Sequence, residues 1–150
     1  MIIEGIKYTI CENGVLIPEN LVRESRVNNC IEASNHFAPL RGMLVESVSI
    51  ITLDANNGFI AYHLITKGIL NSSQAHPREI FRQAILDNAC SIIMAHNHPS
   101  GNLVPSESDL KITEQVYKAG KIIGISLTDH LIITVSDVVS IRSSYPGLFL

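Results

Sequence analysis

The chain has 150 residues, 46% of them hydrophobic, which suits one domain with its own core and excludes disorder. Its formal charge of −3 gives no strong electrostatic footprint for a phosphate backbone, so nucleic acid is not the partner that the charge favours. Charges interrupt the first residues, no apolar run is long enough to span a bilayer, and Cys11, Cys30 and Cys90 lack CxxC spacing; a reducing, cytoplasmic setting is the expectation.

In chain order, residues 2–10 read as a strand and 18–33 as a helix weakened by Asn28-Asn29. The Val- and Ile-rich run 43–53 predicts a strand, Asp54-Ala55-Asn56-Asn57-Gly58 supplies turn chemistry, and 59–66 predicts the returning strand of a hairpin. A polar loop covers 68–75. Pro77 suits the first position of a helix, where its missing N–H needs no partner. Ile80, Phe81, Ala84, Ile85 and Ala89 then recur at helical spacing on one apolar face. Ser91-Ile92-Ile93-Met94-Ala95 predicts a buried strand. The next helix opens near Ser106, with Leu110, Thr113, Val116 and Tyr117 on its buried side and Gly120 as its left-handed stop. Residues 122–127 and 131–135 predict two more strands on either side of Thr128-Asp129-His130. Strands with helices between them predict a sheet flanked by helices.

The run from His96 to Asp109 carries most of the chemistry. In an extended segment residues i and i+2 point the same way, so His96 and His98 can face one ion. Pro99-Ser100-Gly101 and Pro105 can turn the chain so that Asp109 supplies a third ligand, leaving the open fourth position of a catalytic zinc. Zinc lowers the pKa of a bound water to about 7 and polarises a carbonyl. Each part also has a plainer reading. A His-x-His pair at a strand end occurs as ordinary polar surface, and Ser106-x-x-Asp109 has the spacing of a helix N-terminal capping box. A base must come from elsewhere in sequence, because HExxH is absent.

His96-x-His98, seven residues, then Ser106-x-x-Asp109 matches the JAMM motif of the MPN (Mov34/JAB) metalloproteases without a gap. The longer string His96-Asn97-His98-Pro99-Ser100-Gly101 with Pro105-Ser106 resembles the RadC branch of that family. His76-Pro77-Arg78-Glu79-Ile80-Phe81 upstream and Asp129-His130 downstream support the likeness, which covers roughly residues 35–145. The resemblance implies a three-layer α/β/α, cytidine-deaminase-like JAB/MPN fold with a mixed sheet flanked by helices. On that basis residues 1–35 form a lead segment packed on a domain of residues 36–150. It also implies Zn2+ held by His96, His98 and Asp109, with Glu46 as general acid/base and Ser106 steadying the tetrahedral oxyanion.

Glu79 is the rival base, although an acid in a helix first turn has its own electrostatic reason to be there. His76 can cap its helix or line the cleft. Asp129-His130 can brace the ligands from a neighbouring strand or form a plain loop ion pair. His36 and His63 carry no motif and read as surface residues. Full-length RadC proteins carry a helix-hairpin-helix region, and the first 40 residues here are too short and too weakly basic for one.

The function expected is a zinc-dependent metallohydrolase cleaving a peptide or isopeptide amide of a peptide or protein substrate. The alternative is a RadC-like accessory protein associated with DNA repair or a protein partner, binding zinc without significant peptidase activity. A nucleobase deaminase would share the fold, but its H-x-E and P-C-x-x-C signatures are missing.

Overall fold

A computed structural model describes residues 26–68 and 75–150 and, within the first 25, the backbone of β1 (Ile2–Ile3), β2 (Ile6–Ile10) and β3 (Leu16–Pro18). These three pair antiparallel in the order β1-β2-β3, so the first expected strand is two strands. The helix expected over 18–33 is much shorter. Pro18 closes β3, Arg26 bridges to Gly58, residues 19–25 lie outside the described residues, and α1 runs only over Cys30–His36. Asn29 is its N-cap, with the side chain accepting from the Glu32 N–H, while the Glu32 carboxylate accepts from the Asn28 N–H at 2.8 Å. The asparagines therefore start the helix. After α1 comes the single-turn α2 (Ala38–Arg41).

The main sheet holds β4 (Ser47–Leu53), β5 (Phe59–Lys67), β6 (Ser91–Asn97), β7 (Ser126–Ile133) and β8 (Val138–Ser140), in the order β5-β4-β6-β7-β8. Only β6 and β7 run parallel, joined through α4 (Glu107–Ile123); α3 (Pro77–Leu86) precedes β6. The strand expected from residue 43 begins at Ser47, and residues 69–74 of the expected polar loop lie outside the described residues.

Alternation of side chains sorts the core into two layers. Ile50, Ile92 and Met94 pack with Ile80, Phe81 and Val116 of α3 and α4. Ile51, Leu53, Ile93 and Ala95 pack on the other face with Phe37, at the junction of α1 and α2, and Leu40 of α2. Burying each large side chain contributes about 1.5–3 kcal/mol. The result is the α/β/α sandwich with a mixed sheet. Within α3, Ile85 departs from its expected place and is exposed, because the helix turns only Ile80, Phe81 and Ala84 onto the sheet.

Two further features depart from the pattern of the sequence. Gly120 does not end α4; the helix runs on to Ile123, and Gly124 at φ 86° supplies the left-handed stop. Gly120 is there for space, since a Cβ on it would lie 2.4 Å from the Ile125 carbonyl oxygen and 3.2 Å from Phe81 Cζ. Thr128-Asp129-His130 does not separate two strands but lies within β7, and Ile122 sits exposed on α4. The register explains the misleading pattern: Ile92 pairs with Leu127 and Ile93 with Asp129, so Thr128 is an extra residue. Such a bulge reverses the alternation beyond it. It turns His130, opposite Met94, toward α4. The chain closes with α5 (Ile141–Ser144) and a 3-10 turn over Pro146–Phe149. No described helix is long and apolar enough to cross a membrane.

Candidate metal centre

The site lies where β6 leaves the sheet. His96 is on the α4 face of that strand, and His98 stays extended just beyond it because its N–H donates to the Ile133 carbonyl at 3.0 Å. Pro99-Ser100-Gly101 then turns, with the Gly101 N–H on the His98 carbonyl at 3.0 Å and Gly101 at φ 79°, a conformation that favours glycine. The turn brings the Asn102 carbonyl 2.6 Å from His98 Nδ1. A carbonyl only accepts, so Nδ1 carries the proton and a neutral His98 offers its Nε2 lone pair to the site.

Ser106 begins α4 with a complete capping box. Its hydroxyl accepts from the Asp109 N–H at 3.1 Å, and Asp109 Oδ2 accepts from the Ser106 N–H at 2.7 Å. The capping and metal readings are therefore compatible. The same Oδ2 lies 3.3 Å from His96 Nε2 and 3.4 Å from His98 Nε2, and those two nitrogens are 2.8 Å apart. Glu46 brings Oε1 to 3.8 Å from His98 Nε2. Ligand atoms of Glu46, His96, His98 and Asp109 all fall within 4.8 Å of one another.

This donor set fits a zinc ion. Two ligands at zinc's usual bond lengths of roughly 2.0–2.1 Å, arranged tetrahedrally, stand about 3.3 Å apart. Both carboxylate-to-imidazole distances match that spacing, and the imidazole pair is somewhat closer. Two nitrogens and one carboxylate oxygen make the mixed set that a catalytic zinc takes with a position left open. The carboxylate also sits in the first turn of the 17-residue α4, where the helix dipole favours negative charge.

Burial pushes the Asp109 carboxyl up, but the adjoining His96 and His98 imidazoles and the Ser106 N–H outweigh it and hold the group far below the usual carboxylate range. The same carboxylate raises the His98 pKa, against the opposing effect of burial. Burial, then the neighbouring His96, keeps His130 well below the ordinary histidine value.

Glu46 immediately precedes β4, with its side chain 59% exposed and, among the described residues, without a hydrogen bond of its own. Its place is set by backbone. Asn97, buried between the two histidines in sequence, accepts the Ser47 N–H at 2.7 Å and donates to the Val45 carbonyl at 3.0 Å. The Gly68 N–H donates to the Glu46 carbonyl at 2.9 Å. Asn97 stands inside the motif, but its role rests on contacts with residues 43–47 that no local pattern marks.

The other candidates lie elsewhere. Glu79 stays in the first turn of α3, and His76 caps that helix through Nδ1, which accepts from the Arg78 N–H at 3.0 Å. Neither belongs to the donor group. The side chains of Asp129 and His130 take different partners, although Asp129 Oδ1 also accepts from the His130 N–H at 2.7 Å. Asp129 accepts from the Ser140 hydroxyl at 2.7 Å and the Arg142 N–H at 3.2 Å, whereas His130 Nε2 lies 2.8 Å from His96 Nδ1. His36 and His63 are less exposed than expected: His36 stacks on Phe59 at 4.2 Å, and His63 Nε2 meets Asp87 Oδ2 at 2.6 Å.

A mixed-sheet α/β/α sandwich with a His-x-His strand end and an aspartate on the following helix defines a domain of the JAB/MPN class. The sequence matches the RadC-like JAB domain over residues 25–146, and the chain belongs to that family. A UPF0758 protein of Methanospirillum hungatei is 50% identical over 104 residues, covering 69% of this chain and 46% of the relative. One of Finegoldia magna is 45% identical over 98 residues, covering 65% and 44%, and one of Thermosynechococcus vestitus is 43% identical over 109 residues, covering 73% and 44%. The chain thus spans less than half the length of these curated relatives.

Proposed function

We propose that this domain is a zinc-dependent amide hydrolase acting on a peptide or isopeptide bond. The observation that carries the reading is the convergence of His96 Nε2, His98 Nε2 and Asp109 Oδ2 within 3.4 Å of one another, with the Glu46 carboxylate beside them. His96, His98 and Asp109 would hold the ion. Bound there, zinc would supply a Lewis acid and make water acidic enough to attack at neutral pH.

The chain's own residues supply the rest. Glu46 takes a proton from the attacking water at Oε1, the hydroxyl oxygen bonds to the amide carbon, and the C–N bond breaks as Glu46 passes that proton to the leaving nitrogen. The Ser106 oxygen already accepts the Asp109 N–H, which leaves the hydroxyl proton free to donate to the developing oxyanion.

The test is hydrolysis of a library of peptides and lysine-linked isopeptides by zinc-loaded protein. Turnover lost on chelation and in His98→Ala supports the reading; equal turnover by wild type and His98→Ala overturns it.

One observation favours a second reading, a metal-binding domain without turnover that serves a protein or DNA partner. Glu46 is more than half exposed and, among the described residues, is positioned by hydrogen bonds of the backbone on either side of it. Zinc binding with no cleavage of any amide, together with a salt-sensitive affinity for DNA or a protein, would support that reading.

A further inference from the structure

We propose that the buried pair Thr113 and His130 fixes the tautomer of His96, so that Nε2 faces the metal centre as a bare lone pair. The two are positioning residues. The inference deepens the reading of His96 as a ligand and rests on it.

Three short contacts carry it. Thr113 Oγ1 donates to the Asp109 carbonyl one helical turn back, at 2.6 Å. A hydroxyl has one proton, so at its second contact, 2.6 Å to His130 Nδ1, the threonine oxygen accepts. His130 Nδ1 therefore carries the hydrogen. A neutral His130 then has only a lone pair on Nε2, and at 2.8 Å from it His96 Nδ1 must donate. That leaves His96 Nε2 without a proton, 2.8 Å from the Nε2 of His98, which the Asn102 carbonyl fixes in the same tautomer.

Thr113 and His130 are 0% and 1% exposed, so water does not compete for these bonds. Two lone pairs aimed at each other beside a carboxylate repel, and a cation between them relieves the repulsion. The arrangement depends on the bulge at Thr128, without which Asp129 would face α4 in place of His130. It also depends on a threonine one turn after Asp109, so one helix supplies both a ligand and the hydroxyl that sets the tautomer of another.

The experiment uses the whole chain with 15N-labelled histidine, metal-free and at alkaline pH. Two-bond 1H–15N correlations assign each ring's tautomer, and zinc affinity is measured alongside. Wild type is expected to show His96 and His130 both protonated on Nδ1. Thr113→Val keeps the shape but removes the acceptor. His130 is then expected to move its proton to Nε2 and His96 to become the Nε2–H form, with zinc binding weaker by about 10–100-fold. Thr113→Ser restores the hydroxyl and is expected to restore both readouts.

Wild-type His96 protonated on Nε2, or a Thr113→Val variant with unchanged tautomers and unchanged zinc affinity, overturns the inference. Wild type with the proposed tautomers and no zinc binding overturns the metal reading instead, so the two failures are distinguishable.

Discussion

Asn97 and Ser47 meet where β4 and β6 stop pairing as strands: the Asn97 side-chain oxygen accepts the Ser47 N–H at 2.7 Å in place of a backbone carbonyl. The last strand pair is Val48 with His96, so the asparagine ends the ladder and lets residues 43–46 leave the sheet. Its amide group donates to the Val45 carbonyl at 3.0 Å and the Met43 carbonyl at 3.3 Å. One side chain thereby holds the Glu46 segment against the strand that carries the histidines.

Asn97→Ala should therefore destabilise the protein by about 1–3 kcal/mol in urea denaturation, because buried backbone groups lose their partner. Asn97→Asp should cost more at neutral pH, since a carboxylate oxygen would face the Val45 and Met43 carbonyls. Both variants within about 0.5 kcal/mol of wild type, the usual range for surface changes, would contradict the role.

Gly120→Ala sets two effects against each other. Alanine favours a helix by up to about 1 kcal/mol over glycine. Its Cβ, however, would meet the Ile125 carbonyl oxygen at 2.4 Å, and backbone cannot swing aside. Overpacking costs about 1–3 kcal/mol, so a lower melting temperature is expected. A higher one would show that α4 shifts freely.

Asp87 links acid stability to the far end of the sheet. Burial raises its pKa, but hydrogen bonds from His63 and Thr52, both at 2.6 Å, more than offset that and leave it lowered. A carboxyl lowered in the folded state stabilises fully above its unfolded value of about 3.9 and loses that contribution as pH falls through the folded value. Asp87→Asn should remove this part of the acid sensitivity and be less stable near neutrality. Identical pH profiles by chemical denaturation would contradict it.

Zinc should stabilise the fold by mass action, by about 2.7 kcal/mol at a hundredfold excess over its dissociation constant. Protons compete for the imidazoles, and the Asp109 carboxylate raises the His98 pKa. Zinc affinity should therefore keep rising with pH somewhat beyond the ordinary histidine range. Calorimetric titrations at several pH values check this; an affinity independent of pH across that range would mean that the imidazoles are not ligands.

Much of the site was legible because it is local. His96, His98, Ser106 and Asp109 fall within fourteen residues, and period-two geometry with a capping signal suffices to bring them together. Glu46 was legible only through family resemblance, because its approach depends on β4 pairing antiparallel with β6 in one register. His130 was half legible. It stood out beside Asp129, but a bulge that no local pattern announces decides which of the two faces the candidate ligands. Gly120 misled for a related reason: its contacts, Phe81 and Ile125, are tertiary, whereas the true helix stop four residues later is a matter of backbone conformation.

Glu46 is proposed to serve chemistry at a metal centre that His96, His98 and Asp109 would hold. The most direct test compares zinc content and amide turnover in wild type and Glu46→Gln. One zinc per chain is expected in both, with turnover in the variant reduced at least ~100-fold. A zinc-loaded Glu46→Gln protein that cleaves amides at the wild-type rate would contradict this role for Glu46.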